Sequence, residues 1–206
     1  MKDFKAVFPK ALIIFLIFTV LCGAVYTLVI TGISQILFPK QANGSIIEID
    51  GKKYGSALLA QQYTDEKHLW GRIMNIDTDT FTDDKGNKVA YAWASNLTPT
   101  SDQLQSVINE RIKKIKEAHP EKGDTPIPVD LVTCSGSGLD PHISVAAAEY
   151  QVDRIAKNNN MSKEEVQSII DKYTDNKLLG VLGEKTVNVL AVSYTHLRAH
   201  ETTLHL

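Results

Sequence analysis

Apolar and polar positions divide this chain into two unlike parts. From Ala11 to Pro39 no residue is charged, and Lys10 and Lys40 bound the run. Leu12 to Ile30 holds thirteen Leu, Ile, Val or Phe residues. At about −0.3 to −0.6 kcal/mol each near a bilayer centre, insertion is favoured by about 5 kcal/mol. A helix of about 20 such residues crosses a hydrocarbon core of about 30 Å. The run therefore predicts a transmembrane helix over residues 11–38, preceded by a short segment, 1–10. A secretory signal has an apolar region of only about 7–15 residues and a small-residue cleavage site. A lipoprotein signal at Cys22 is disfavoured because Leu21 precedes it and more apolar sequence follows. The hydroxyls of Thr19, Thr27, Thr31 and Ser34 can bond carbonyls one turn back.

Beyond the span the periodicities are those of a mixed domain. Residues 41–191 are long enough for one core, so a single soluble domain is expected. Ser45 to Ile49 alternates like a strand and Asp50-Gly51 reads as its turn. Ile76 to Lys88 is acidic and turn-rich. Its Asp77, Asp79, Asp83 and Asp84 fail the spacing of a calcium loop, because Phe81 and Lys85 interrupt it, so a solvated loop is expected. Helical spacing of Leu104, Val107, Ile108, Ile112 and Ile115 predicts a helix over 100–119, ended by Pro120. Pro126-Ile127-Pro128 leads into an expected buried strand, Val129 to Thr133. A second helix is expected over 144–158, and a third from Ser162, where Ser162 and Glu165 form a capping box. A last strand is expected over 186–192. Strands and helices interleave, so the fold class is α+β (mixed α/β) with one N-terminal transmembrane helix.

Charge adds a direction. Lys2, Lys5 and Lys10 crowd the N-terminal flank, whereas Lys40 stands alone until Lys52. By the positive-inside bias the N-terminus is cytoplasmic and the domain lies outside a prokaryotic cell membrane, with lipid as one partner. The formal net charge of −2 gives no reason to expect nucleic acid. Gly23, Ala24 and Gly32 offer small residues where another helix could approach, though glycine is also common in spans. Cys22 in the span and Cys134 in the domain do not form a disulfide framework.

Few residues invite chemistry. The loop Ser135-Gly136-Ser137-Gly138 could bring backbone amides to a phosphate. No lysine follows it, so it is not a P-loop. Nor is it a nucleophile elbow. A Ser137, Asp140, His142 triad would come from one short segment, whereas base and orienter normally come from separate elements. Structural turns explain these residues better. His68 beside Trp70 lacks a ligand cluster, and no metal is expected.

Residues 192–202 (VSYTHLRAHET) break the pattern. His196 and His200 mimic a metal pair. The peptide, however, matches a frame translation of a common transposase-type sequencing adapter. Residues 192–206 are therefore expected to be extraneous, with the natural sequence cut at about Ala191 and its true C-terminus missing.

Several stretches together carry a family resemblance. They are QANGS (41–45), Gly55 to Leu58 with Gln61, Leu69-Trp70-Gly71-Arg72, and Ser95-Asn96-Leu97. Further along come PVDLVTCSGSGLDPHIS (128–144), AAAEYQVDRIA (146–156) and GEKTVNVL (183–190). The chain resembles the C subunit of the Kdp-type potassium-transporting P-type ATPase up to about Leu190. Cys134 and Ile73 depart from the more usual residues. The resemblance implies a subunit that is not itself an ATPase. It would join a channel-like potassium-binding subunit and a P-type ATP-hydrolysing subunit in an ATP-driven import complex. It also implies a catalytic chaperone that raises ATP affinity, with Ser135, Gly136, Ser137, Gly138 and Gln151 as candidate ATP contacts. An outer domain would see almost no ATP, so an assembly and stabilising role is expected instead. Two other classes stay open: a single-span extracytoplasmic sensor or binding module, and an anchored serine hydrolase using Ser137.

Overall fold

The computed structural model describes residues 2–49 and 51–195. The chain forms two compact units, Met1–Ser56 and Ala57–Leu206. The first unit is mostly one helical rod. It runs through α1 (Lys2–Phe18), a π-helical stretch (Thr19–Tyr26) and α2 (Thr27–Leu37). Residues Phe4–Leu37 form one helix long and apolar enough to span a bilayer, with mean hydropathy reaching 2.7. Thr19 Oγ1 donates to the Phe15 carbonyl, 2.8 Å away and four residues back. Thr27 Oγ1 instead reaches five residues back, to Cys22 O at 3.0 Å, in keeping with the wider π turn around Cys22-Gly23-Ala24. A short α3 (Pro39–Ala42) follows. Then β1 (Ile46–Ile49) pairs antiparallel with β2 (Lys52–Ser56), with a bulge between Ile47 and Glu48. The expected first strand is present; Asp50 of its turn lies outside the described residues.

The second unit begins with a hairpin where a solvated loop was expected. β3 (Ile76–Thr82) pairs with β4 (Lys88–Ala92). Its acidic residues serve the hairpin's own turns. Asp77 Oδ1 accepts from the amides of Asp79 and Thr80, and Asp83 Oδ1 from those of Lys85 and Asn87. Helix α4 (Asp102–Ala118) starts at Ser101, whose side chain accepts from Leu104 N, and ends before Pro120. The expected strand over 129–133 is a 3-10 turn instead, Val129–Leu131. Pro128 offers no ladder donor, its carbonyl accepts from Leu131 N at 3.0 Å, and Asp130 is buried for polar reasons given below.

The core is built by α5 (Val145–Tyr150), α6 (Val152–Asn159) and α7 (Lys163–Lys172) against a three-stranded antiparallel sheet. In that sheet β7 (Thr186–Asn188) lies between β5 (His142–Ser144) and the two-residue β6 (Thr174–Asp175). Leu69, Ile115, Leu131, Ile143, Ile170 and Val187 are fully or almost fully buried there. The expected helix over 144–158 is present but breaks at Gln151. The capping box forms: Ser162 Oγ accepts from Glu165 N and Glu165 accepts from Ser162 N. The last strand is shorter than expected, because the chain turns at Val189 into α8 (Val189–Thr195). Val192 and Ser193 of α8 are buried. His196, His200 and His205 lie outside the described residues.

Candidate functional site

The Ser135–Gly138 loop is tied to itself and to the base of the β3–β4 hairpin. Ser137 Oγ accepts from Leu139 N at 3.2 Å, and Ser135 Oγ from Asp140 N at 3.3 Å. Gly138 N bonds Ser135 O, and Gly138 O accepts from Asn75 N. Gly138 has φ +73, and a Cβ there would sit 2.2 Å from the Trp93 carbonyl oxygen. Only glycine allows that approach. Gly136 differs, since a Cβ added to it meets nothing within 4 Å. Among the described residues Ser137 has no bond to His142; that ring faces Asp140 and Asp175 instead, at 3.5 and 4.0 Å.

Gln151 is not beside this loop's hydrogen bonds. It is fully buried, at the break between α5 and α6. Its Oε1 accepts from Trp70 N and from Arg154, both at 2.8 Å. Its Nε2 donates to Trp70 O at 3.0 Å and Ala147 O at 3.1 Å. Both amide hydrogens and both oxygen lone pairs are thus used.

Arg154 completes the lock. An arginine has five N–H donors, and each finds an acceptor here. Nε donates to His119 Nε2, Nη1 to the carbonyls of Asp65 and Glu66, and Nη2 to His68 O and Gln151 Oε1. The guanidinium also lies 4.8 Å from the Trp70 ring centre. Burial pulls its pKa down to about 10, so it stays charged at neutral pH. The cation is offset by carbonyl dipoles and an aromatic face. Segment 65–70 has no ladder of its own, and these side chains supply its partners.

Arg72, next along, organises the turn on the other side. Its Nη2 is 2.7 Å from Asp130, and its Nε is 3.4 Å from Asp140 and 3.3 Å from His142 O. Asp130 in turn accepts from Ser144 N at 2.8 Å, which explains its burial. A polar cavity of about 190 Å³ lies nearby, lined by Gln62, Arg72, Glu110, Arg111 and Lys114 among others. Arg111 is held by Leu131 O and Gly71 O, and burial lowers its pKa. The cavity's volume lies below the about 300–1,000 Å³ usual for small-molecule sites, and none of Ser135–Gly138 or Gln151 lines it.

A family profile described as "KdpC: K+-transporting ATPase, c chain" matches residues 8–195. The chain belongs to the KdpC family. A protein from Clostridium botulinum (type B) named "Potassium-transporting ATPase KdpC subunit" is 74% identical over 193 residues, covering 94% of this chain and 96% of its own. Relatives of the same name are 56% identical in Clostridium perfringens and 42% in Methylococcus capsulatus, covering 89% and 90% of this chain and 93% and 94% of their own. The KdpC chain is thus a subunit of a potassium-transporting ATPase complex. Trp70 of the 69–72 motif meets Gln151 and Arg154 of the 146–156 motif in one buried clamp. Arg154, His119 and Asp130 were missed as key positions in the sequence. The signal available was a charged residue inside an apolar helical pattern, Arg154 between Val152 and Ile155.

Proposed function

We propose that this KdpC chain is a non-catalytic, single-span subunit that assembles and stabilises an ATP-driven potassium import complex. Its partners are a channel-like potassium-binding subunit and a P-type ATP-hydrolysing subunit. The N-terminus is cytoplasmic and the domain lies outside. Any rise in ATP affinity acts at a distance, because a partner that binds one pump state better shifts its population. One observation carries the reading. The residues offered to nucleotide by resemblance already serve the domain: Gln151 spends its whole amide on Trp70, Ala147 and Arg154, and Ser135 and Ser137 cap their own loop.

The test is uptake in cells that depend on the complex. Loss of this chain is expected to abolish high-affinity potassium uptake and lower the membrane level of the other two subunits. Unchanged uptake overturns the reading. Complementation with Ser135→Ala/Gly136→Ala/Ser137→Ala is expected to restore uptake with the apparent KM for ATP unchanged. A tenfold rise in that KM would restore direct nucleotide contact.

A further inference from the structure

Arg111 has more hydrogen-bond donors than the fold gives it acceptors. Of the five N–H groups of an arginine, Nε goes to Leu131 O at 2.9 Å and one on Nη2 goes to Gly71 O at 3.1 Å. That leaves three without an acceptor among the described residues. Its guanidinium lies 5.3 Å from the Trp70 ring centre, which offers a π face but no counter-charge. Burial lowers its pKa, and no carboxylate pulls the other way. An arginine stays a cation regardless.

This side chain lines the polar cavity of about 190 Å³, together with residues 61–63 and 71–74. Val107, Glu110, Arg111 and Lys114 fall at i, i+3, i+4 and i+7 and so share one face of α4; all four line the same space. Arg72, Arg111 and Lys114 are its cations, and two of them are matched inside the fold. Arg72 meets Asp130 and Asp140 at 2.7 and 3.4 Å, and Lys114 meets Glu110 at 2.7 Å. Arg111 is left as the unmatched positive charge. Liquid water takes about 30 Å³ per molecule, so the cavity has room for one small oxyanion in place of several waters.

We propose that this cavity binds a small oxyanion, held by the Arg111 fork with Lys114 at its rim. The chemistry is that of a carboxylate or a phosphate, whose paired oxygens match a guanidinium. Glu110 competes with the ligand for Lys114 and weakens the site. Bound anion joins α4 to the 71–74 segment, the two parts that Arg111 already ties through Gly71 O. The site is independent of the assembly reading above.

The full chain in detergent is titrated calorimetrically with sodium phosphate and, separately, with sodium acetate, at neutral pH and constant ionic strength. Saturable binding of at least one, at one site per chain, is expected, and the tighter of the two identifies the ligand as phosphate or carboxylate. A response that fails to saturate with either overturns the inference. Arg111→Gln is expected to weaken binding at least about tenfold. Because Arg111 also holds two carbonyls, exposed positions carry the same test without risk to the fold. Lys114→Gln is expected to weaken binding about threefold, and Glu110→Gln to tighten it about threefold. Lys113→Gln, which pairs with Glu117 and does not line the cavity, is expected to leave binding unchanged. Binding that ignores Lys114 and Glu110, or that falls as far in Lys113→Gln as in Lys114→Gln, puts the anion on the general helix surface and overturns the inference.

Discussion

At the scale of single residues, the glycines of the Ser135–Gly138 loop do different work, and substitution separates them. Gly138→Ala places a methyl against the Trp93 carbonyl at a positive φ. It is expected to destabilise the domain by more than about 1 kcal/mol, read as a lower denaturation midpoint of the full chain in detergent. Gly136→Ala meets open space and is expected to leave that midpoint within about 0.5 kcal/mol of the parent. Ser193 makes the opposite case. Its hydroxyl is buried without a hydrogen-bond partner among the described residues. Ser193→Ala is expected to stabilise the chain by about 1 kcal/mol, and a lower Tm in that variant would contradict it. An orphaned hydroxyl is an unusual choice at a core position.

Among the elements, legibility followed the range of the interactions that form them. The helix from Ser162 was readable because its cap and its apolar face lie within a few residues of each other. The β3–β4 hairpin was not, because its acids looked like a solvated loop until Asp77 and Asp83 were seen to accept from their own turns. Gln151 was assigned by resemblance; its partner Trp70 is 81 residues away, beyond any local pattern. The same long-range clamp joins α4 to α6 through His119. That ring is almost wholly buried, its Nδ1 bonds Ile115 O at 2.8 Å, and its Nε2 accepts from Arg154 at 3.0 Å. Burial first, then the Arg154 cation with Lys122, holds its pKa below the ordinary imidazole value, against opposing pulls from the Ile115 bond and Glu121. Unfolded His119 therefore gains a proton at a pH where the folded ring does not. Stability is retained above about pH 6.5 and falls as pH drops towards the folded value, by at most about 1.4 kcal/mol per pH unit for this group. Unfolding between pH 7 and 5 is expected to show a shallower slope in His119→Gln, which can keep both bonds. An identical slope would mean that the ring titrates alike in both states.

For the whole molecule, the decisive question is which side of the bilayer the domain occupies. The anchor is one long apolar helix, and three lysines on its short N-terminal flank face one near its other end. Charge asymmetry of that sign is what the proposed cytoplasmic N-terminus rests on. On the proposed orientation the domain would have no direct access to the nucleotide pool, and any influence on ATP use would pass through the span or the sibling subunits. Ser137 is exposed and half-buried Cys134 is close by in sequence. Ser137→Cys in a background of Cys22→Ala and Cys134→Ala thus gives one reporting thiol. An impermeant maleimide is expected to label it in intact cells as fully as after lysis. Protection until lysis would reverse the orientation and bring the Ser135–Gly138 loop back within reach of cytoplasmic ATP.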